Sequence, residues 1–130
     1  MQSWAAAGDR SYLQAERYAN TITELSNGRL KVEAFPAGAI IPVRKEAEGL
    51  IKGSVEIAYL PDGWWDAFYM ASYMFSQYVG GPTGVQLMFW DLYGGGRELS
   101  QKMVKDLPVV FVGPLTVHPA EVWCHSKKPL

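Results

Sequence analysis

A single cysteine in 130 residues leaves no partner for an intrachain disulfide and no Cys-rich zinc site. The chain has no run of about 18 consecutive apolar residues, so no segment reads as a membrane-spanning helix. It also lacks a basic excess. Twelve Lys and Arg stand against thirteen Asp and Glu, a net charge of -1, and the positive footprint of a nucleic-acid binder is missing. The opening residues MQSWAAAGDR carry no basic segment followed by an apolar one, so no signal peptide is visible. That leaves a cytoplasmic protein, or one whose processed leader is absent from the chain. What is present excludes disorder: 48% of the residues are hydrophobic, enough apolar surface to offset the entropy of ordering. A chain of this length buries roughly 65–70% of its unfolded surface, so a core needs no staples.

The aromatic residues are uneven. Eleven of the 17 lie between Tyr59 and Tyr93. Before them, Asp9 to Leu25 has the spacing of a helix, with Tyr12, Ala15, Ala19, Ile22 and Leu25 on one face. Ser11 with Gln14 fits a capping box, Asp9 is a competing cap, and Asn27-Gly28 supplies the stop. Arg29 to Phe35 alternates and predicts a half-buried strand. A short helix follows Pro42, with Ala47, Leu50 and Ile51 as its apolar stripe and Gly53 at its end. Val55 to Leu60 is a short apolar strand, and Pro61-Asp62-Gly63 turns the chain.

Trp64 to Gly81 has no clean period and reads as one or two short helices with an irregular loop. Thr83 with Gln86 opens a further helix, with Val85, Met88, Phe89 and Leu92 expected inward. After Gly94-Gly95-Gly96 the helical pattern resumes from Arg97 to Asp106, with Leu99 and Met103 one turn apart. Val109 to Val112 and Ala120 to Ser126 are the remaining candidate strands. Helices between strands imply an α/β fold with a parallel or mixed sheet flanked by helices. Ligands in such sheets bind beyond the carboxyl ends of the strands. The corresponding loops here are Ser3 to Asp9, Pro36 to Pro42 and Pro61 to Trp65.

Three segments in this order resemble one family: ELSNGRLKVEAFPAGAIIP (Glu24 to Pro42), GSVEIAYL with its following tryptophans (Gly53 to Trp65), and LYGGGREL (Leu92 to Leu99). The tail EVWCHSKKPL is similar as well. The family is the DctP-like extracytoplasmic solute-binding proteins of TRAP transporters, which carry two α/β lobes hinged around a ligand. The resemblance implies that residues 1–130 are a single truncated lobe of a periplasmic-binding-protein-like (type II) fold, with the second lobe absent. It implies a non-catalytic module for small organic acids. It also implies that the strand bearing the family's carboxylate-anchoring arginine would come after Leu130. Completion of the first-lobe sheet by a strand from the second lobe implies an open edge here. A homo-oligomer is expected to fill that edge. Transporter subunits in the membrane would be partners only of a full-length receptor, and the periplasm is the compartment the resemblance implies.

Trp64 and Trp65 follow a strand end and a tight turn, and Trp4 follows the first strand at the same end of the sheet. These are the expected ligand walls, with Phe75 and Ser76 added because they match a family segment that approaches the cleft. The other reading makes the aromatic-rich region a contact surface of a stand-alone interaction protein. Arg44 and Arg97 stand in helix-start contexts and read as solvated, and Arg29 points outward from its strand. The triple glycine follows no strand and has no Gly-Lys-Ser/Thr ending, so close packing or a tight helix corner is expected. His118, Cys124 and His125 have no metal-site spacing, and Cys124 and His125, being adjacent, would face opposite ways on a strand. No nucleophile–base pair, metal set or cofactor motif is present, so neither an enzyme nor a cofactor is expected.

Overall fold

The computed structural model describes residues 1–75 and 80–113. Its centre is a parallel sheet. Strand β1 (Gln2–Ser3) pairs with β2 (Ala58–Tyr59), with Gln2 opposite Ala58 and Ser3 opposite Tyr59. On the other side of β1 the chain around Phe35 runs parallel to it as an isolated bridge. There Ser3 N–H donates to Phe35 O at 2.8 Å and Phe35 N–H to Met1 O at 2.9 Å. The strand expected over Arg29 to Phe35 is thus reduced to its last residues. Its alternation survives in part: Val32 and Ala34 are half-buried and pack on the core, but Leu30 is 60% exposed. Leu30 lies in the helix-exit turn, where its N–H donates to Ser26 Oγ at 3.0 Å instead of joining a ladder.

Helix α1 (Arg10–Leu25) starts at Asp9, whose Oδ1 accepts from Ser11 N–H at 2.7 Å; Asp9 wins over the expected Ser11 cap. Its inner face is Ser11, Ala15 and Ala19. These small side chains let the helix approach Met1 and Tyr59 of the sheet closely. Leu25, expected on that face, is 81% exposed. Six residues past Ala19 the helix has turned about 240° beyond the stripe, so Leu25 leaves it. The exit uses Asn27 (φ 52) and Gly28 (φ 74), with Gly28 N–H reaching back to Thr23 O at 2.9 Å.

Helix α2 (Glu46–Ile51) lays Ala47, Leu50 and Ile51 on a second core cluster built by Trp65, Met103 and Val104. The aromatic-rich stretch forms two 3-10 turns, Asp62–Trp65 and Met70–Phe75. Helix α3 (Gly84–Tyr93) carries the expected capping box: Thr83 N–H donates to Gln86 Oε1 at 2.8 Å and Gln86 N–H to Thr83 Oγ1 at 3.3 Å. The face expected inward is the wrong one. Val85, Met88, Phe89 and Leu92 are exposed at 38% or more, whereas Asp91 is buried and Trp90 half-buried. The sequence GVQLMFWDLY is apolar around its circumference, so periodicity does not choose a face.

The triple glycine is a tight corner. Gly95 (φ 88) precedes α4 (Gly96–Met103), and a Cβ on Gly96 would lie 2.6 Å from Trp90 Cε3 and 2.9 Å from Asp91 Cα. Helix α4 buries Gly96, Ser100 and Met103, while Leu99 is 46% exposed, so the expected Leu99–Met103 stripe is displaced by one residue at its start. No strand forms at Val109 to Val112. The alternation there is real, with Val109 and Phe111 against the second cluster and Val110 and Val112 outward. Among the described residues, however, no neighbouring strand pairs with it. The expected strand over Ala120 to Ser126, and His118, Cys124 and His125, lie outside the described residues.

Candidate functional site

The three loops at the carboxyl ends of the strands form one rim. The first is tied down from within the sheet: Ser3 Oγ accepts from Ala5 N–H at 3.1 Å, and Trp4 N–H donates to Tyr59 O at 2.8 Å. The second, around Ile40 and Ile41, is fixed by Gln2. This fully buried amide accepts from Ile40 N–H and Ile41 N–H at 2.9 Å each, and donates to Ile41 O at 2.9 Å. Its amide nitrogen also reaches Glu46 Oε1 at 3.3 Å, while Glu46 Oε2 is buried with no partner among the described residues.

On this rim Trp4 and Trp64 meet edge to face, their ring centroids 5.9 Å apart. The Arg44 guanidinium carbon lies 5.0 Å from the centre of the Trp64 ring. A cation over an indole is held by the ring's electron-rich face. Arg44 has φ 68, a left-handed conformation that an arginine rarely adopts. Such a backbone costs on the order of 1–3 kcal/mol and persists where the surroundings enforce it. Asp66 lies 4.0 Å from Arg44 across the rim. Its own oxygens are engaged elsewhere: Oδ2 accepts from Tyr73 O–H at 2.6 Å and Oδ1 from Ala67 N–H at 3.1 Å. The Tyr73 hydrogen bond holds the Asp66 carboxyl below its usual range, and Asp66 in turn pushes the Tyr73 phenol up.

Behind the rim lies a mostly apolar cavity of about 610 Å³. Its lining includes most of the run from Gly53 to Asp62, with β2, the segment Pro108 to Gly113, and Trp90 and Val104. Among the described residues the backbone hydrogen bonds of Ile57 to Tyr59 run to β1. The cavity is a slot lined by β2 and by the segment Pro108 to Gly113. Asp62 stands in its wall, where burial first and the Asp91 charge second raise its carboxyl pKa to about 6. Asp91 itself is paired with Arg97 at 3.1 Å. Tyr59 O–H is buried without a hydrogen-bond partner among the described residues, and burial pushes its phenol up.

The expected site residues separate by depth. Trp4 and Trp64 are half-buried on the rim, and Trp4 also lines the slot. Trp65 is buried in the second core cluster and shows the slot one face. Phe75 lies in the same wall, its ring 5.8 Å from Trp90. Ser76 lies outside the described residues. Arg44, which reads as solvated in the sequence, joins the aromatic pair, together with Asp66 and Tyr73. The sequence holds no signal for this, since a left-handed turn is announced by Gly or Asn and here the position is Arg. Among the described residues no group of three or more His, Cys, Asp or Glu side chains could hold a metal ion. No helix among them is long and apolar enough to cross a membrane.

Residues 1–76 match the family model described as DctP, bacterial extracellular solute-binding protein, family 7. A monocarboxylate 2-oxoacid-binding periplasmic protein of Nostoc sp. is 25% identical over 100 residues, which are 77% of this chain and 28% of that protein. A TRAP transporter solute-binding protein from Bordetella bronchiseptica, described with calcium and picolinate in its active site, superposes with a TM-score of 0.79 at 22% identity. That match covers 85% of this chain and 33% of the other. A second, from Pseudoalteromonas atlantica with bound sodium and pyruvate, has a TM-score of 0.75 at 18% identity, covering 81% and 32%. The likeness to these structures is one of fold, and the chain spans about a third of their length.

Proposed function

Because the chain belongs to the DctP family of bacterial extracellular solute-binding proteins, family 7, we propose that it forms one wall of a periplasmic cleft that takes up a small organic acid for a TRAP-type transporter. The observation that carries this reading is the Trp4–Trp64 corner at the carboxyl ends of adjacent parallel strands, where α/β sheets place ligands. Two indoles at 72° offer flat apolar walls to the body of a small acid. Trp65 and Phe75 line the cavity that Trp4 also lines, and Ser76 is assigned by resemblance alone. The role is binding without chemistry. The relatives of known ligand bind 2-oxo monocarboxylates, pyruvate and picolinate, so these acids are the first probes. A thermal-shift titration of the chain with pyruvate and picolinate is expected to raise Tm with concentration, by mass action. An unchanged Tm at millimolar acid would remove the reading.

A second reading rests on the slot. Its lining includes β2 and the alternating segment Val109 to Val112, and is mostly apolar. An added strand, supplied by a second copy of the chain, would pair with the open edge of β2. Multi-angle light scattering is expected to give twice the monomer mass; a monomer at tens of micromolar would remove this reading and leave the cleft untouched.

A further inference from the structure

We infer that Arg44 is the residue of this chain that reads the solute's carboxylate, with Trp64 as its platform. The inference rests on the reading of the rim as an organic-acid wall, and it names the group there that meets the charge. Three independent features converge on this side chain. Its backbone is held left-handed at φ 68, just before the start of α2, a conformation with no evident structural need for arginine. Backbone outliers of this kind cluster at ligand clamps. Its guanidinium sits 5.0 Å above Trp64, the indole that Trp4 buttresses. Its ion pair is long, 4.0 Å, and Asp66 also accepts from Tyr73 and Ala67.

A guanidinium held over an aromatic face keeps its in-plane N–H donors available for a bidentate partner. The Arg44 side chain is 58% exposed, so those donors face solvent. Two of the other arginines are engaged elsewhere: Arg97 binds Asp91 at 3.1 Å, and Arg29 donates to Ser26 O at 3.2 Å. The solute class that fits is a small carboxylate with a flat body: the acid group on Arg44, the flat part against the tryptophans. Asp66 acts as a competing anion. It orients Arg44 in the empty site and is displaced from it by the ligand's stronger, bidentate contact.

The test is calorimetric titration of the intact chain with picolinate and with its uncharged amide, picolinamide. Arg44→Asn is the variant of choice, since Asn tolerates a left-handed backbone and the fold is expected to keep its Tm. The parent is expected to prefer the acid over the amide by about tenfold or more. In Arg44→Asn the acid weakens by about tenfold and the amide by no more than about twofold, so the preference disappears. Asp66→Asn is expected to tighten acid binding. An Arg44→Asn variant that keeps the acid preference overturns the assignment and leaves the cleft reading standing. A parent that binds neither picolinate nor pyruvate overturns both.

Discussion

Trp4 and Trp64 touch edge to face at 5.9 Å although they are 60 positions apart in the chain, and the contact closes the gap between the loops that leave β1 and β2. An edge-to-face pair contributes about 0.5–1.5 kcal/mol beyond the area it buries. Because each ring sits on a different strand exit, this contact sets the spacing of the rim on which the proposed solute would rest.

That coupling is measurable. Trp4→Leu, Trp64→Leu and the double variant, unfolded in urea, are expected to give an interaction energy of about 0.5–1.5 kcal/mol. Additive losses would mean that the two loops are positioned independently and that the rim owes nothing to the contact.

Gln2 gives a sharper prediction for the second loop. Replacing it by Ala removes three hydrogen bonds to Ile40 and Ile41 and leaves their part-buried backbone groups without the side-chain partner they use. The expected loss is about 2–4 kcal/mol in denaturant unfolding, the cost of several unsatisfied groups. Glu46→Gln should be neutral or stabilising, because the carboxyl has 0% exposure and its Oε2 finds no partner among the described residues. A Glu46→Gln variant clearly less stable than the parent would mean that the charge is engaged in holding the loop.

The glycine corner separates two causes. Gly96→Ala is expected to cost about 1–3 kcal/mol, since the added Cβ meets Trp90 and the Asp91 backbone. Gly95→Ala fails for a different reason, its φ of 88, since among the described residues nothing lies within 4 Å of where the Cβ would stand. Gly95→Asn should therefore recover much of the stability lost in Gly95→Ala, as read by Tm, whereas no larger residue rescues position 96.

What the sequence disclosed follows the strength of its local signals. The caps at Asp9 and Thr83, the Asn27-Gly28 exit and the tight corner at Gly94-Gly95-Gly96 are short-range chemistry, and each stands where its residues place it. The parallel order of the sheet was legible because helices alternate with strands. Strand lengths were not, because a strand is completed by its neighbour: Val109 to Val112 keeps its alternation yet pairs with nothing among the described residues. The inward face of α3 was illegible because its apolar residues spread around the helix and leave no stripe to read. At the candidate site, Trp4 and Trp64 could be named from their places after strands, but Arg44 could not. Its left-handed backbone and its position over Trp64 are products of the assembled loops.

The slot carries its own pH signature through Asp62. In the folded chain its pKa is about 6, raised from 3.8 by burial first and by Asp91 second. Between those pH values the folded state holds a proton that the unfolded chain has released. Stability therefore falls as pH rises: the full contribution is present below the unfolded pKa and is lost as pH passes the folded one. The shift sets a ceiling of about 3 kcal/mol, to be discounted for the part of the side chain that water still reaches. Asp66 has the opposite sign, since the Tyr73 hydrogen bond lowers its pKa, but it lies at the surface and contributes little. Asp62→Asn should accordingly flatten the stability profile between about pH 4 and 6 and stabilise the chain at pH 7. The check is a set of urea unfolding curves for parent and variant across that range. A slope that survives in Asp62→Asn would mean that Asp62 is not the titrating group.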